Sequence, residues 1–200
     1  MVKVLKRVEK LGGKMYLIVG LGNPEPEYSK TRHNMGFDVI NKLAKQYEIE
    51  LSRSNFEGIY GTGIIENEKV ILLKPQTYMN LSGQSIKKYI DFYKIPLENI
   101  LVVFDDMDTE KEKIKIRKMG GPGTHNGAKS VVHELQSEQF ARIRVGIGRP
   151  IDNDEIIDYV ITPIQDEQEY KQLEIGIEKA KDAIIEYLKN GIDKAMNKFN

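Results

Sequence analysis

The chain has 200 residues, 40% hydrophobic and 30% charged, with 30 basic side chains against 30 acidic ones and no cysteine. That length suits one compact domain with a substantial core. Zero net charge excludes a uniformly basic nucleic-acid binder, so an anionic partner would have to meet a local patch. The lack of cysteine excludes disulfides, a thiol nucleophile and cysteine metal sites, which fits a reducing cytoplasm. No apolar run reaches the roughly 20 residues that span a bilayer.

Residues 1–14 carry five basic side chains and one acid, with no apolar stretch of signal-peptide length. They read as an extension ahead of the core, and residues 15–200 as one domain; a basic arm for RNA is the rival reading of the extension. Met15 opens an apolar strand through Tyr16–Val19 that runs into Gly20-Leu21-Gly22-Asn23-Pro24, a buried strand and tight loop. Phe37, Ile40, Leu43, Ala44 and Tyr47 then recur at helical spacing. Ile59–Ile65 and Val70–Leu73 predict two strands paired across Glu66-Asn67-Glu68, the second stopped by Pro75. A helix is expected over Ser82–Tyr93, then a buried strand Ile100–Phe104 ending at Asp105-Asp106.

Lys113 to Arg117 alternates cationic and aliphatic side chains, as a half-buried strand with a basic outer surface does. Met119–Gly127 is a glycine-rich loop, and Ala128, Val131, Val132 and Leu135 mark a helix over Asn126–Gln136. Ile143–Ile147 is a strand. Tyr170, Leu173, Ile177, Ala180, Ile184, Tyr187 and Leu188 define a long helix that Gly191 breaks. Strands and helices alternate throughout. The predicted fold class is therefore α/β, a single-domain three-layer sandwich with a mixed central sheet flanked by helices.

Asn23, His33, Asn34, Asn80, Asp105, His125 and Asn126 all fall at strand ends or in the loops after strands, where open α/β sheets collect ligands. His33 suits a general base near neutral pH; capping or packing at a helix start is its bland alternative. Asp105 can orient a histidine and stabilise its imidazolium, or simply cap a loop. Asp105, Asp106 and Asp108 also resemble a Mg²⁺ site, but three acids in one turn rarely converge on one ion, so no metal is expected. Asn23, Asn80 and Asn126 can grip an ester or peptide group and donate to an oxyanion, although Asn126-Gly127 is also a common turn pair. Lys111, Lys113, Lys115, Arg117 and Lys118 form a basic strip suited to phosphates, or a solvated strand face. His133, between apolar helix positions, reads as structural. Gly20-x-Gly22 hints at a dinucleotide fingerprint, but Glu25 stands at the third glycine position.

Six segments in order, V-G-L-G-N-P (19–24), E-Y-S-K-T-R-H-N (27–34), K-P-Q-T-Y-M-N-L-S-G (74–83), V-V-F-D-D-M-D (102–108), G-G-P-G-T-H-N-G (120–127) and R-I-R-V-G-I-G-R-P (142–150), resemble the bacterial peptidyl-tRNA hydrolase family. The resemblance covers most of 15–150 and implies an enzyme that cuts the ester between a peptide's carboxyl and the terminal ribose of tRNA, recycling the tRNA. It implies His33 as base and Asp105 as its orienting carboxylate. Asn23, Asn80 and Asn126, with Tyr28 and Tyr78 in the same motifs, would hold the substrate. Lys113, Lys115 and Arg117, with Arg142 or Arg144, would contact tRNA. It further implies a cytoplasmic monomer with no cofactor. The family usually has glycine where Glu25 and Thr124 stand and histidine where Phe104 stands; Pro122 and Thr124 bear on the mobility of the glycine-rich loop. Two rivals are a non-catalytic RNA-binding relative and a different α/β hydrolase such as a peptidase. The retained His33, Asp105 and asparagines oppose the first. The lack of a serine elbow and of a zinc-binding histidine pair opposes the second.

Overall fold

The computed structural model describes residues 14–150 and 155–200. The extension expected over 1–14 therefore lies, but for Lys14, outside the described residues. Seven strands form one sheet: β1 (Met15–Gly20), β2 (Arg53–Asn55), β3 (Gly58–Ile65), β4 (Glu68–Pro75), β5 (Ile100–Asp106), β6 (Ile114–Arg117) and β7 (Ala141–Gly146). Their order across the sheet is β2-β3-β4-β1-β5-β7-β6. The four central strands are parallel, whereas β2-β3, β3-β4 and β6-β7 pair antiparallel. The sheet is thus mixed, its antiparallel pairs lying toward the two edges and its parallel strands at the centre.

Among the described residues six α-helices flank it: α1 (Met35–Gln46), α2 (Ser82–Tyr93), α3 (Asn126–Leu135), α4 (Ile156–Ile161), α5 (Glu167–Asn190) and α6 (Ile192–Phe199). Central strands are apolar along their whole length because both faces are covered. Ile18, Val70, Leu72, Leu101 and Val103 pack with α1, α5 and α6, while Leu17, Val19, Ile71, Leu73, Ile100 and Val102 pack with α2 and α3. That two-sided burial makes the third layer. β3 and β4 turn through Glu66 and Asn67, both at positive φ, as a tight two-residue hairpin demands. At the sheet edge β6 buries Ile114 and Ile116 and leaves Arg117 exposed, the alternation read from sequence.

Three elements were not foreseen. α6 resumes as helix after Gly191, where the sequence reading places only a break. β2 is three residues of edge strand, too short for a pattern. α4 has no buried residue and no single apolar face, so helical periodicity does not mark it.

Candidate active site

The site begins with a close approach of backbone. A Cβ on Gly20 would lie 2.1 Å from Gly36 O, and one on Gly36 would lie 2.4 Å from both Leu21 N and Val103 O. Only glycine lets the start of α1 touch the ends of β1 and β5 in this way. The 3-10 turn Arg32–Asn34, just ahead of α1, is thereby set beside the carboxyl end of β5. Asn23 and Asn34 lock the two loops together: Asn23 N donates to Asn34 Oδ1 at 2.8 Å, and Asn34 Nδ2 donates to Asn23 O at 3.0 Å. Asn23 Oδ1 accepts from Met79 N at 3.0 Å, which ties in a third segment and leaves Asn23 its donor end.

Asp105, 4% exposed near the end of β5, sits between two imidazoles. His33 Nδ1 lies 3.0 Å from Asp105 Oδ1 and 3.1 Å from Oδ2, and His125 Nε2 lies 2.9 Å from Oδ1. A buried carboxylate needs donors, so both ring nitrogens carry protons toward it. The tautomers follow from this network. His125 also caps α3, its Nδ1 accepting from Ala128 N at 3.1 Å, so both of its nitrogens are engaged. His33, once Nδ1 donates, keeps the lone pair on Nε2, and among the described residues no group is hydrogen-bonded to that atom.

Burial alone would lower the His33 pKa; the charge of Asp105 and its hydrogen bond more than offset that and raise it. Burial pushes the Asp105 pKa upward, but the positive charge that His33 and His125 can carry and their two hydrogen bonds prevail and hold it well below the usual carboxylate range. The ligand atoms of His33, Asp105 and His125 all lie within 4.8 Å of one another, so these three are the described residues that could hold a metal ion. Their nitrogen-to-oxygen separations are those of hydrogen bonds, and the carboxylate oxygens that would ligate are engaged by the rings.

Around this centre lies a cleft of about 260 Å³ lined by Asn23, Met79, Phe104, Asp106, Asn126 and Arg144 as well as the two histidines. Its far wall is apolar: Ile156, Ile157, Val160 and Ile161 of α4. Neither serine nor cysteine is among the lining residues.

The structure thus gathers His33, Asp105, Asn23, Asn126 and Arg144. It does not bring the rest to the cleft lining. Asn80 is exposed beside Met79, Tyr78 is 65% exposed, and Tyr28 sits half-buried on the 3-10 turn Pro26–Tyr28. The basic strip is thinner than its sequence suggests. Lys111 pairs with Glu169, Lys113 with Glu110 and Lys118 with Asp193, while Lys115 and Arg117 have no carboxylate partner among the described residues.

Arg142 departs from the expected tRNA contact. It is fully buried, its guanidinium donating to Gly121 O, Glu138 O and Phe140 O. A phosphate would need that group at the surface; instead it anchors the base of the glycine-rich loop. Burial and neighbouring Arg144 bring its pKa down to about 10. His133 is likewise not a packing residue, since its side chain is 80% exposed. Sequence reasoning gave no role to His125, Asn34 or α4. The first had one available signal, an imidazole at the residue before a helix start.

Fold and cleft together define an α/β protein with a His–Asp–His cluster in a cleft at the carboxyl ends of parallel strands, and its similarity to known hydrolases gives the class, a hydrolytic enzyme. A family profile described as peptidyl-tRNA hydrolase matches residues 17–200. A peptidyl-tRNA hydrolase of Caldanaerobacter subterraneus subsp. tengcongensis is 50% identical over 93% of this chain and 100% of its own. One from Clostridium botulinum is 48% identical over 93% and 96%. The crystal structure of peptidyl-tRNA hydrolase from Acinetobacter baumannii superposes with a TM-score of 0.85 at 39% identity, covering 92% of this chain and 93% of that one. The chain belongs to the peptidyl-tRNA hydrolase family.

Proposed function

We propose that this protein hydrolyses the ester between a peptide's C-terminal carboxyl and the 3′-terminal ribose of tRNA, with His33 as general base. The observation that carries the reading is the division of labour around Asp105. Of the two imidazoles it holds, His33 has a nitrogen left with which to take a proton. Water placed at His33 Nε2 attacks the ester carbonyl as its proton passes to that nitrogen. Asp105 stabilises the imidazolium. The tetrahedral oxyanion is steadied by amide donors, Asn126 at the start of α3 and Asn23 beside it. Collapse expels the ribose 3′-oxygen, which takes the proton back from His33. Neither a covalent intermediate nor a cofactor enters.

Arg144 at the cleft, with Lys115 and Arg117 on the adjoining strand, has no carboxylate partner among the described residues and offers positive charge for the tRNA phosphates. Asn80, Tyr28 and Tyr78, outside the cleft lining, are assigned to outer contacts with the peptide. We place the enzyme in the cytoplasm as a monomer that returns prematurely released tRNA to use. The test is release of peptide from purified peptidyl-tRNA by the wild-type chain and by His33→Ala. Hydrolysis should collapse in the variant while tRNA binding persists; near-normal turnover there would remove His33 from its role.

A further inference from the structure

The residue before the base makes contacts that the reaction does not call for. Arg32 is 8% exposed, and its guanidinium forms a two-pronged pair with Glu169 of α5, Nε to Oε1 at 3.0 Å and Nη2 to Oε2 at 2.6 Å. Its remaining nitrogen, Nη1, donates to the carbonyl of Tyr159 in α4 at 2.8 Å, and its carbon Cζ lies 4.0 Å from the centre of the Tyr159 ring. Tyr159 in turn donates its hydroxyl to Ile147 O at 2.7 Å. Two neighbours of Arg32 grip the same segment. Ile164 N donates to Lys30 O at 3.1 Å, and Thr31 forms a bridge with Pro163. Three successive residues, 30–32, therefore hold 159–164, and the next residue is His33.

The segment they hold supplies the apolar wall of the cleft. α4 has no fully buried side chain; only Tyr159 and Val160 of its six residues pack against the core. Apolar burial alone fixes it weakly, and the contacts that locate it are largely the polar ones from residues 30–32. A buried ion pair is a poor source of net stability, because desolvation of both charges offsets their attraction. What a forked guanidinium offers is direction.

We propose that Arg32 is a positioning residue that fixes the distance between the α4 wall and His33, and so sets the cleft width presented to the esterified residue of the peptide. The inference rests on the hydrolytic reading above for its kinetic consequence, and on the contacts alone for its structural one. Arg32→Lys keeps the charge but cannot hold Glu169 and the Tyr159 carbonyl together. Glu169→Gln keeps the shape and weakens the same fork.

The experiment measures peptide release by wild type, Arg32→Lys, Glu169→Gln and the double variant, on peptidyl-tRNAs ending in a small or a bulky residue. In Arg32→Lys, KM should rise about tenfold, about 1.4 kcal/mol of binding made equally to substrate and transition state. Turnover should stay within about twofold, as expected when binding but not the chemical step is impaired. The acid limb of the pH profile should not move, and the preference between small and bulky residues should narrow. Glu169→Gln should reproduce these changes, and the double variant should be no worse than either single one. A fall in kcat at unchanged KM, a moved acid limb, or additive single effects would overturn the proposal.

Hydrogen exchange separates its failure from failure of the hydrolytic reading. Faster exchange confined to 156–164 in Arg32→Lys, with sheet amides unchanged, upholds the clamp even if the wild type releases no peptide. Unchanged exchange there overturns it.

Discussion

One carboxylate, Asp105, holds the same side chain twice, to different fates. His33 stands on a 3-10 turn and, among the described residues, engages only Nδ1; His125 caps a helix with both nitrogens engaged, and both rings reach Oδ1. Residue type and carboxylate partner are shared, so neither decides what each imidazole can do. The partner of the second nitrogen decides it: a backbone N–H at His125 takes the lone pair a base would need. In an enzyme site, the histidine to suspect of proton transfer is the one whose hydrogen bonding is incomplete.

That contrast can be broken by substitution. The largest effect should come from His33→Ala, which removes the base; general-base catalysis supplies about 10²–10⁴-fold, so kcat should fall by that order. A comparable fall in His125→Ala would erase the distinction between the two rings. Close behind comes Asp105→Asn, since loss of the orienting charge and tautomer control at such a carboxylate costs up to about 10⁴-fold.

The same variant carries a signed prediction in pH. The reaction needs neutral His33, whose pKa is raised, so the rate climbs as pH rises through that raised value and levels above it. Without the Asp105 charge only the lowering effect of burial remains, so the acid limb should shift to lower pH while the plateau drops. Folding stability runs the other way in the wild type. The contribution of the protonated His33 pair is full below the unfolded histidine value and fades as pH rises through the raised folded value. Thermal melts across that window read it directly.

His125→Ala should be milder in rate, about tenfold, as is common for a group that acts by orienting another. It also removes the cap of α3, worth about 1 kcal/mol, so the melting temperature should fall as well. The smallest effect is assigned to Thr124→Gly in the loop that flanks the cleft. It should change KM rather than the pH profile, because Thr124 lies outside the Asp105 hydrogen-bond network. An unchanged KM with a displaced pH profile would tie the loop to the base instead.

What sequence could and could not show follows from the kind of signal each part leaves. Continuous apolar runs at 16–19 and 100–104 mark strands buried on both faces, and the period of 113–117 marks a strand buried on one; these patterns are one-dimensional and survive in the sequence. Placement of His33 and Asp105 together is not in either local pattern, but the motifs around them carry it. Arg142 shows where such reading fails. Ala-Arg-Ile-Arg-Val presents two arginines on one face of β7, yet Arg142 is roofed by Phe140 and the glycine-rich loop while Arg144 reaches the cleft. No alternation distinguishes them, because what covers Arg142 arrives from some twenty residues upstream. α4 is illegible for a related reason: four of its apolar residues line the cleft and none is fully buried, so no core-facing stripe marks it in the sequence.

The glycine pair at 20 and 36 has a consequence for how this site ages under mutation. Between the strand that carries the acid and the turn that carries the imidazole there is no intervening side chain, hence no rotamer to relax and no packing layer to erode. Substitutions elsewhere in the interior can loosen the protein without stretching that spacing, since main chain rests on main chain. Loss of activity should therefore track loss of folded protein for most core changes, and part from it sharply for any side chain introduced at either glycine.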